Sequence, residues 1–272
     1  MIDLNNFRKN IYHKFGFKEC PHYGEDGVIL EIFNNVPTNK TPLVIEFGET
    51  RVLGTTTRAF RVNYISKSIY FTLNISLLSK IFNILDIFKI TFKSFKFSYL
   101  KFFLNLPFSY FADKDSIIKL FKNKKIKNID ILTIDIDSYD YVVAKNILEN
   151  KYRPTLLIIE YNPNLPIEDE YIQPEGETFI NKKLYGCNYG SLVNLFKKNN
   201  YHLIHISGFC NLFFLDNKYR NIFIEPNIIN EITDNDDKIE IFIKKYCQKN
   251  FKPSWFYEKK LEYKDIKKFK IN

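Results

Sequence analysis

The sequence predicts an α/β fold: a mostly parallel seven-stranded sheet with helices on both faces, ending in an antiparallel hairpin strand. Two short aliphatic runs, 129–134 and 155–160, are apolar at successive positions, as in strands that are covered on both faces. Between them, residues 138–150 predict a helix, which completes a β-α-β unit. Segments 201–206 and 211–216, separated by a turn at Ser207 and Gly208, predict the hairpin.

The remaining elements follow from local patterns. Aliphatic and aromatic runs predict strands, and apolar residues at helical spacing predict helices. Asp115 is the predicted N-cap of one helix. The predicted strands are 43–47, 68–72 and 108–112, and the predicted helices are 28–33, 55–64, 116–121 and 191–199. We expect an N-terminal cap over 1–42, the α/β domain over 43–220 with an insertion or lid at about 75–106, and a C-terminal extension over 221–272.

Composition narrows the class of protein. The chain has 272 residues, of which 45% are hydrophobic and 17% aromatic, so it can bury a substantial core. Its net charge of +9 comes from scattered basic residues, which favours anionic substrates and predicts no nucleic-acid partner. The four Cys residues lie far apart, which predicts neither zinc site nor disulfide framework. We expect a cytoplasmic protein with no signal peptide and no membrane span.

Residues 75–106 are rich in Phe, Ile and Leu, with Lys interspersed. They predict either the core helices of a lid or a basic amphipathic surface near a membrane or a lipid-linked substrate. The pattern leaves both interpretations open.

Polar residues follow the two central strands. Asp135, Asp137 and Asp140 come after the first, and Glu160 and Asn162 end the second. Ligands of open α/β sheets bind at the carboxyl ends of the strands. Four of the five form a candidate ligand set for Mg²⁺ or Mn²⁺, which prefer oxygen donors: Asp135, Asp137, Glu160 and Asn162. Alternatively, Asp137 caps the following helix and Glu160 pairs with a Lys.

Several short motifs succeed one another along the chain. They are His22-Tyr-Gly-Glu-Asp-Gly-Val-Ile29, Val44-Ile-Glu-Phe-Gly-Glu-Thr50, Asp135-Ile-Asp-Ser-Tyr-Asp-Tyr141, the segment 154–162, Gly190-Ser-Leu192 and Asn211-Leu-Phe-Phe214. In this order and spacing they resemble the motifs of FkbM-like class I S-adenosylmethionine-dependent methyltransferases. The resemblance covers roughly residues 20–66 and 108–216. It implies a Rossmann-like methyltransferase fold.

The resemblance also implies a cofactor site for S-adenosylmethionine. In the loop after the first strand, Gly48 has no second glycine close behind it. After the second strand, Thr72 and Asn74 stand where the fold usually places an acid for the ribose. The implied cofactor-binding residues are Glu46, Gly48, Glu49, Thr57, Thr72, Asn74, Asp113 and Asp135.

The implied catalytic residues are His22, as general base, with Asp135 and Asp137. His13, His202 and His205 compete with His22 for the role of base. The candidate substrate contacts are Tyr23, Glu25, Asp26, Tyr185 and Asn188. For Glu25 and Asp26, a cap of the helix that follows them is an equal alternative.

The resemblance implies an O-methyltransferase that acts on a sugar or a surface-polysaccharide precursor, assisted by a divalent metal ion. Asp135-Ile-Asp137 also fits the DxD motif of a metal-dependent glycosyltransferase that uses nucleotide sugars. The missing glycine and acid leave a third interpretation open, a catalytically silent binding module. The acceptor and the oligomeric state are not predicted.

Overall fold

The structure is a computed structural model of the 272-residue chain. It describes residues 1–2, 4, 25–48, 56–57, 60, 66–71, 109–110, 114–167, 169–174, 184–207, 210–226 and 267–271. The predicted helix 55–64 falls largely outside these residues, and the predicted insertion 75–106 falls entirely outside them.

Seven strands and four α-helices make up the described domain. The strands are β1 (Leu43–Phe47), β2 (Lys67–Phe71), β3 (Ser109–Tyr110), β4 (Ile131–Ile134), β5 (Leu156–Glu160), β6 (Tyr201–Ser207) and β7 (Asn211–Asp216). The helices are α1 (Glu25–Asn35), α2 (Lys114–Asn123), α3 (Asp140–Glu149) and α4 (Tyr189–Lys198).

The strands form one sheet in the order β3-β2-β1-β4-β5-β7-β6. The first five are parallel neighbours, whereas β7 runs antiparallel to both β5 and β6. The hairpin therefore folds back so that its second strand enters the sheet beside β5 and its first strand lies at the edge. The predicted α/β class is confirmed.

Helices cover both faces of the sheet, because successive strand residues point to opposite sides. On one face, Val44 and Ile158 pack with Ile29 and Ile32 of α1. On the other face, neighbouring strand residues such as Ile159 pack with α2, α3 and α4. Every residue of β4 and β5 is buried, which explains the runs that are apolar at successive positions. Each fully buried aliphatic side chain contributes about 2 kcal/mol to stability.

Several helix starts differ from the predictions. Asp115 lies inside α2, which begins at Lys114, so the predicted N-cap is wrong. α3 begins at Asp140, and its N-cap residue Tyr139 makes no side-chain capping bond. Asp137 therefore does not cap that helix. α1 begins at Glu25, three residues before its predicted start.

Two described pieces outside the central domain pack against it. Ile2 forms a parallel bridge with Phe223, and Phe223 is buried with α1 on one face of the sheet. Near the end of the chain, Lys270 bridges Tyr171. Within the described residues, no helix combines the length and the apolar character that crossing a bilayer requires.

Candidate active site

Three strands deliver polar side chains to one edge of the sheet. β4 ends just before Asp135 and Asp137, while β5 ends at Glu160. Because β7 is antiparallel, its first residue, Asn211, lies at the same edge and is paired with Glu160. This is the edge where ligands of open α/β sheets bind, so the topology gathers these four residues at the expected position of a ligand.

Asp135, Asp137 and Glu160 form a carboxylate cluster, in which one oxygen of each residue lies within 4.8 Å of the others. Glu160 is buried, Asp135 half-buried and Asp137 exposed, so the cluster extends from the sheet toward solvent. Among the residues that the structure describes, none of the three forms an ion pair with Lys or Arg, and the predicted Lys partner of Glu160 is not found there. Three oxygen donors in this arrangement fit a divalent cation.

The loop that carries Asp135 and Asp137 is organised by Asp140, which was not among the predicted ligands. One carboxylate oxygen of Asp140 accepts from the backbone N–H of Ile136 at 2.9 Å, and the other accepts from that of Ser138 at 3.0 Å. Asp137 between them adopts a positive φ of 55°, a conformation uncommon outside glycine that Asp tolerates better than most residues. Asp140 thus holds the turn that presents Asp135 and Asp137.

Burial and the repulsion between neighbouring carboxylates oppose ionisation of the acids at this edge of the sheet. Burial raises the pKa of Asp135 well above its usual value, and the charges of Asp140, Asp137 and Glu25 raise it further. Burial likewise raises the pKa of Glu160, with Asp135 as the next cause. The pKa of Asp140 is raised to about 6 by burial, against its backbone hydrogen bonds. Protons or a bound cation would relieve this repulsion.

We therefore expect the metal-free protein to lose stability as the pH rises from about 4 to about 6. A carboxyl group whose pKa is higher in the folded than in the unfolded protein binds more protons when the protein is folded. Its contribution to the free energy of unfolding is therefore complete at pH values below the unfolded pKa, and it is lost as the pH rises through the folded pKa. For Asp140, with a pKa of about 6, the loss is at most about 3 kcal/mol. Urea denaturation in EDTA at several pH values measures it. Asp140→Asn should flatten this slope, and an equal slope in that variant would contradict the assignment.

Gly48, directly after β1, lies against the loop that leaves β4. Its φ is +101°, and a Cβ atom built at this position would overlap the backbone carbonyl of Asp135. The backbone N–H of Asp135 also donates to the carbonyl of Phe47 at 3.1 Å. The glycine therefore lets the ends of β1 and β4 approach closely, which places Gly48 beside the carboxylate cluster.

Glu46 and Thr57, both predicted to bind the cofactor, are bonded to each other. The hydroxyl of Thr57 donates to Glu46 at 2.7 Å, and the backbone N–H of Thr56 donates to the other carboxylate oxygen at 2.8 Å. Glu46 and Thr57 are buried. These two hydrogen bonds connect residues 56–57, which follow the β1 loop, to β1 of the sheet.

The segment around Tyr185 covers the end of β5. The Tyr185 hydroxyl donates to one carboxylate oxygen of Glu160 at 3.1 Å, so this predicted substrate contact does reach the cluster. The Asn162 side chain donates to the backbone carbonyl of Tyr185 at 3.1 Å and accepts from the backbone N–H of Asn164 at 2.9 Å. The amide of Asn162 thus braces the local backbone, with both its oxygen and its nitrogen in use.

Asn188 has a structural role in place of the predicted substrate contact. Its side chain is fully buried and caps α4 by accepting from the backbone N–H of Ser191 at 3.0 Å. It also accepts from the backbone N–H of Tyr171 at 3.1 Å. Such an N-cap typically contributes about 1 kcal/mol to stability.

Sequence reasoning missed one contact that closes the site. The side-chain amide of Asn211 donates to Glu25, at the start of α1, at 2.7 Å. Glu25 was a predicted substrate contact, whereas Asn211 appeared only within a motif. The pairing of a strand-end acid with the first residue of the antiparallel strand is the signal that could have identified Asn211.

The other predicted site residues lie outside the described part of the chain. Asp26 belongs to α1, but its side chain is not described. The residues outside are His22, Tyr23, Glu49, Thr72, Asn74 and Asp113, and so is the competing His13. His202 and His205 lie buried in β6.

Comparison with known proteins gives distant structural similarities. No family model and no curated protein matches the chain. The apo structure of CalS11, a TDP-rhamnose 3'-O-methyltransferase of calicheamicin biosynthesis, is 12% identical, with 69% of this chain and 75% of that chain covered and a TM-score of 0.40. An O-methyltransferase from Bacillus cereus in complex with SAH is 9% identical over 78% of this chain and 98% of its own, at a TM-score of 0.39. Identities and TM-scores this low assign no activity to the chain.

Proposed function

We propose that the chain is an S-adenosylmethionine-dependent O-methyltransferase assisted by a divalent cation. The observation that carries the proposal is the meeting of Gly48 with the carboxylate cluster at the carboxyl edge of the sheet. The sheet order, with an antiparallel strand between β5 and β6, supports it, as do the motifs that resemble FkbM-like methyltransferases. A fold alone does not define a function, so the proposal rests on the residues of the site.

The residues around Gly48 suit the polar parts of the proposed cofactor. Asp135 offers a carboxylate to the methionine ammonium group, and Glu46 acts indirectly by holding Thr57 in place. We propose Glu49, Thr72, Asn74 and Asp113 as further contacts to the cofactor. The bound cofactor supplies a methyl group already activated by its sulfonium, so the chain need only align an acceptor hydroxyl and remove its proton.

The carboxylate cluster would bind and orient the acceptor through the cation. Asp135, Asp137 and Glu160 would supply the donors, whereas Asn162, the fourth residue that the sequence suggests, uses its amide oxygen for the backbone N–H of Asn164. A divalent cation held there lowers the pKa of a bound hydroxyl, and His22 is the proposed base. We propose a sugar or a surface-polysaccharide precursor as the acceptor and a cytoplasmic location, with Tyr23, Asp26 and Tyr185 around the acceptor. Glu25 is buried and bonded to Asn211, so we do not include it among these contacts.

One observation favours a second candidate, a metal-dependent glycosyltransferase. The two aspartates of the Asp135-Ile-Asp137 sequence converge with Glu160, as a DxD motif that holds the metal of a nucleotide sugar requires. The two candidates differ in the nucleotide that the protein binds.

Calorimetry distinguishes the two. We expect saturable binding of S-adenosylhomocysteine without added metal, and no binding of UDP- or GDP-sugars in the presence of Mn²⁺. Asp137→Ala, which removes an exposed side chain, should retain binding of S-adenosylhomocysteine and lose EDTA-sensitive activity. Binding of a nucleotide sugar with no heat from S-adenosylhomocysteine would replace the methyltransferase proposal with the glycosyltransferase one.

A further inference from the structure

Asn211 offers a buried oxygen beside the carboxylate cluster. Residues directly opposite each other on paired strands place their side chains on the same face, about 5 Å apart at Cβ. Asn211 is the partner of Glu160 in the β5–β7 pairing, and each is 6% exposed. The Asn211 side chain therefore lies next to the most buried member of the cluster.

Glu25 fixes which end of the Asn211 amide is left without a hydrogen bond. A carboxylate can only accept hydrogen bonds, so the side chain bonded to Glu25 at 2.7 Å must present its NH₂ group there. The amide oxygen is consequently left as an acceptor. Among the residues that the structure describes, neither this oxygen nor the second carboxylate oxygen of Glu160 has a hydrogen-bond partner.

Two buried acceptors without a donor are costly, at about 1–3 kcal/mol each. Here they belong to neighbouring residues, and one of them belongs to a cluster of three carboxylates. A divalent cation bound at the cluster would give these oxygens a partner, because amide and carboxylate oxygens are both among its preferred ligands. Asn162, in contrast, uses its amide oxygen for the backbone N–H of Asn164 and its nitrogen for the carbonyl of Tyr185.

We propose that Asn211 supplies the amide oxygen of a divalent-cation site formed with Asp135, Asp137 and Glu160, and that Glu25 positions it. The inference rests on the metal ion of the proposed function and replaces Asn162 with Asn211 as the amide ligand. Glu25 is a positioning residue in this arrangement, since its effect on the cation passes through the Asn211 side chain.

Binding of Mn²⁺, followed by its EPR signal, tests the proposal on the full chain. Loss of a residue that only supports a metal ligand typically weakens metal binding about tenfold or more. Because Asn211 is proposed as a ligand itself, Asn211→Ala should weaken Mn²⁺ binding at least tenfold. In ¹⁷O-enriched water, the broadening of the Mn²⁺ EPR lines should show one more bound water in this variant than in the wild-type protein, because a water replaces the lost amide oxygen. The matched control is Asn194→Ala, which removes an exposed amide that also donates to a glutamate, Glu170, and should leave binding unchanged.

A charge-neutral exchange tests the role of Glu25. In Glu25→Gln the new side-chain amide can donate to the Asn211 oxygen, which lets the Asn211 amide turn its NH₂ group toward the cation, so we expect about tenfold weaker binding. Adding Asn211→Asp again leaves an oxygen of residue 211 available to the cation. The glutamine at position 25 would donate to one oxygen of the new carboxylate and leave the other oxygen free. The double variant should therefore bind Mn²⁺ at least as tightly as the wild-type protein, and this exchange decides the question if Asn211→Ala fails to fold.

The outcomes separate this inference from the proposed function. Wild-type affinity for Mn²⁺ and an unchanged water count in folded Asn211→Ala would overturn the role of Asn211 and leave the carboxylate site intact. If the wild-type protein binds no Mn²⁺, both the site and the role of Asn211 are wrong. Calorimetry with S-adenosylhomocysteine, done without metal, reports on methyl transfer independently of either result.

Discussion

Gly48→Ala is expected to lower the free energy of unfolding by about 2–5 kcal/mol, the largest effect on stability that we anticipate. The new methyl group would overlap the carbonyl of Asp135, and overpacking of this kind costs about 1–3 kcal/mol. The positive φ adds about 1–2 kcal/mol for any residue with a Cβ atom. Because the overlap displaces Asp135, the variant should also lose affinity for S-adenosylhomocysteine. Urea denaturation and calorimetry measure the two effects.

Gly186→Ala is the matched control. Gly186 also has a positive φ, +67°, but its added Cβ would meet only the carbonyl of Ser138 at an ordinary 3.7 Å. We expect a loss of about 1–2 kcal/mol, from the left-handed conformation alone. Equal losses in the two variants would show that backbone conformation, and not the approach of β1 to β4, requires the glycine at position 48.

Glu160→Gln is expected to change cation affinity and stability in opposite directions. Burial and the charges of Asp135 and Asp137 raise the pKa of Glu160 and so oppose its ionisation in the folded state. The metal-free protein should therefore gain stability at neutral pH when this acid is replaced by a neutral amide. The same change removes a charged oxygen ligand and should weaken Mn²⁺ binding about 100-fold, equivalent to about 2.7 kcal/mol. Urea denaturation in EDTA and titration with Mn²⁺ measure the pair of effects.

The control is Glu149→Gln on α3. Glu149 forms an ion pair with Lys145 at 3.9 Å, and both side chains are at least half exposed. Exposed pairs of this type contribute under about 1 kcal/mol, so stability should change little and Mn²⁺ binding not at all. Destabilisation of the metal-free protein by Glu160→Gln would mean that the acid stabilises the fold, contrary to the role given to it.

Local patterns were sufficient to predict most of the sheet. The buried runs of β4 and β5 and both strands of the hairpin were predicted to within about two residues, because burial on both faces and turn residues leave strong local signals. Helix starts were less predictable. Asp115 has the chemistry of an N-cap, yet α2 begins one residue earlier, at Lys114.

The site was predictable only where it follows from strand order. The convergence of Asp135, Asp137 and Glu160 follows from two parallel strands ending at one edge. The contact between Glu25 and Asn211 joins residues 186 positions apart and depends on β7 entering the sheet beside β5. No local pattern contains that information. Asn162 was predicted as a ligand from its position at the end of a strand and Asn188 as a substrate contact, but their amides serve the backbone of the β5 loop and the start of α4.

The position of β7 also has a consequence for how the protein is made. β5 gains its second neighbouring strand, β7, only when the hairpin has emerged from the ribosome. β7 also carries Asn211, whose side-chain amide donates to Glu25. Until then, one edge of β5 is open to pairing with other chains. Nascent chains that stall before residue 211 should therefore be the species most dependent on chaperones, since folding of this edge awaits a contact of high sequence separation.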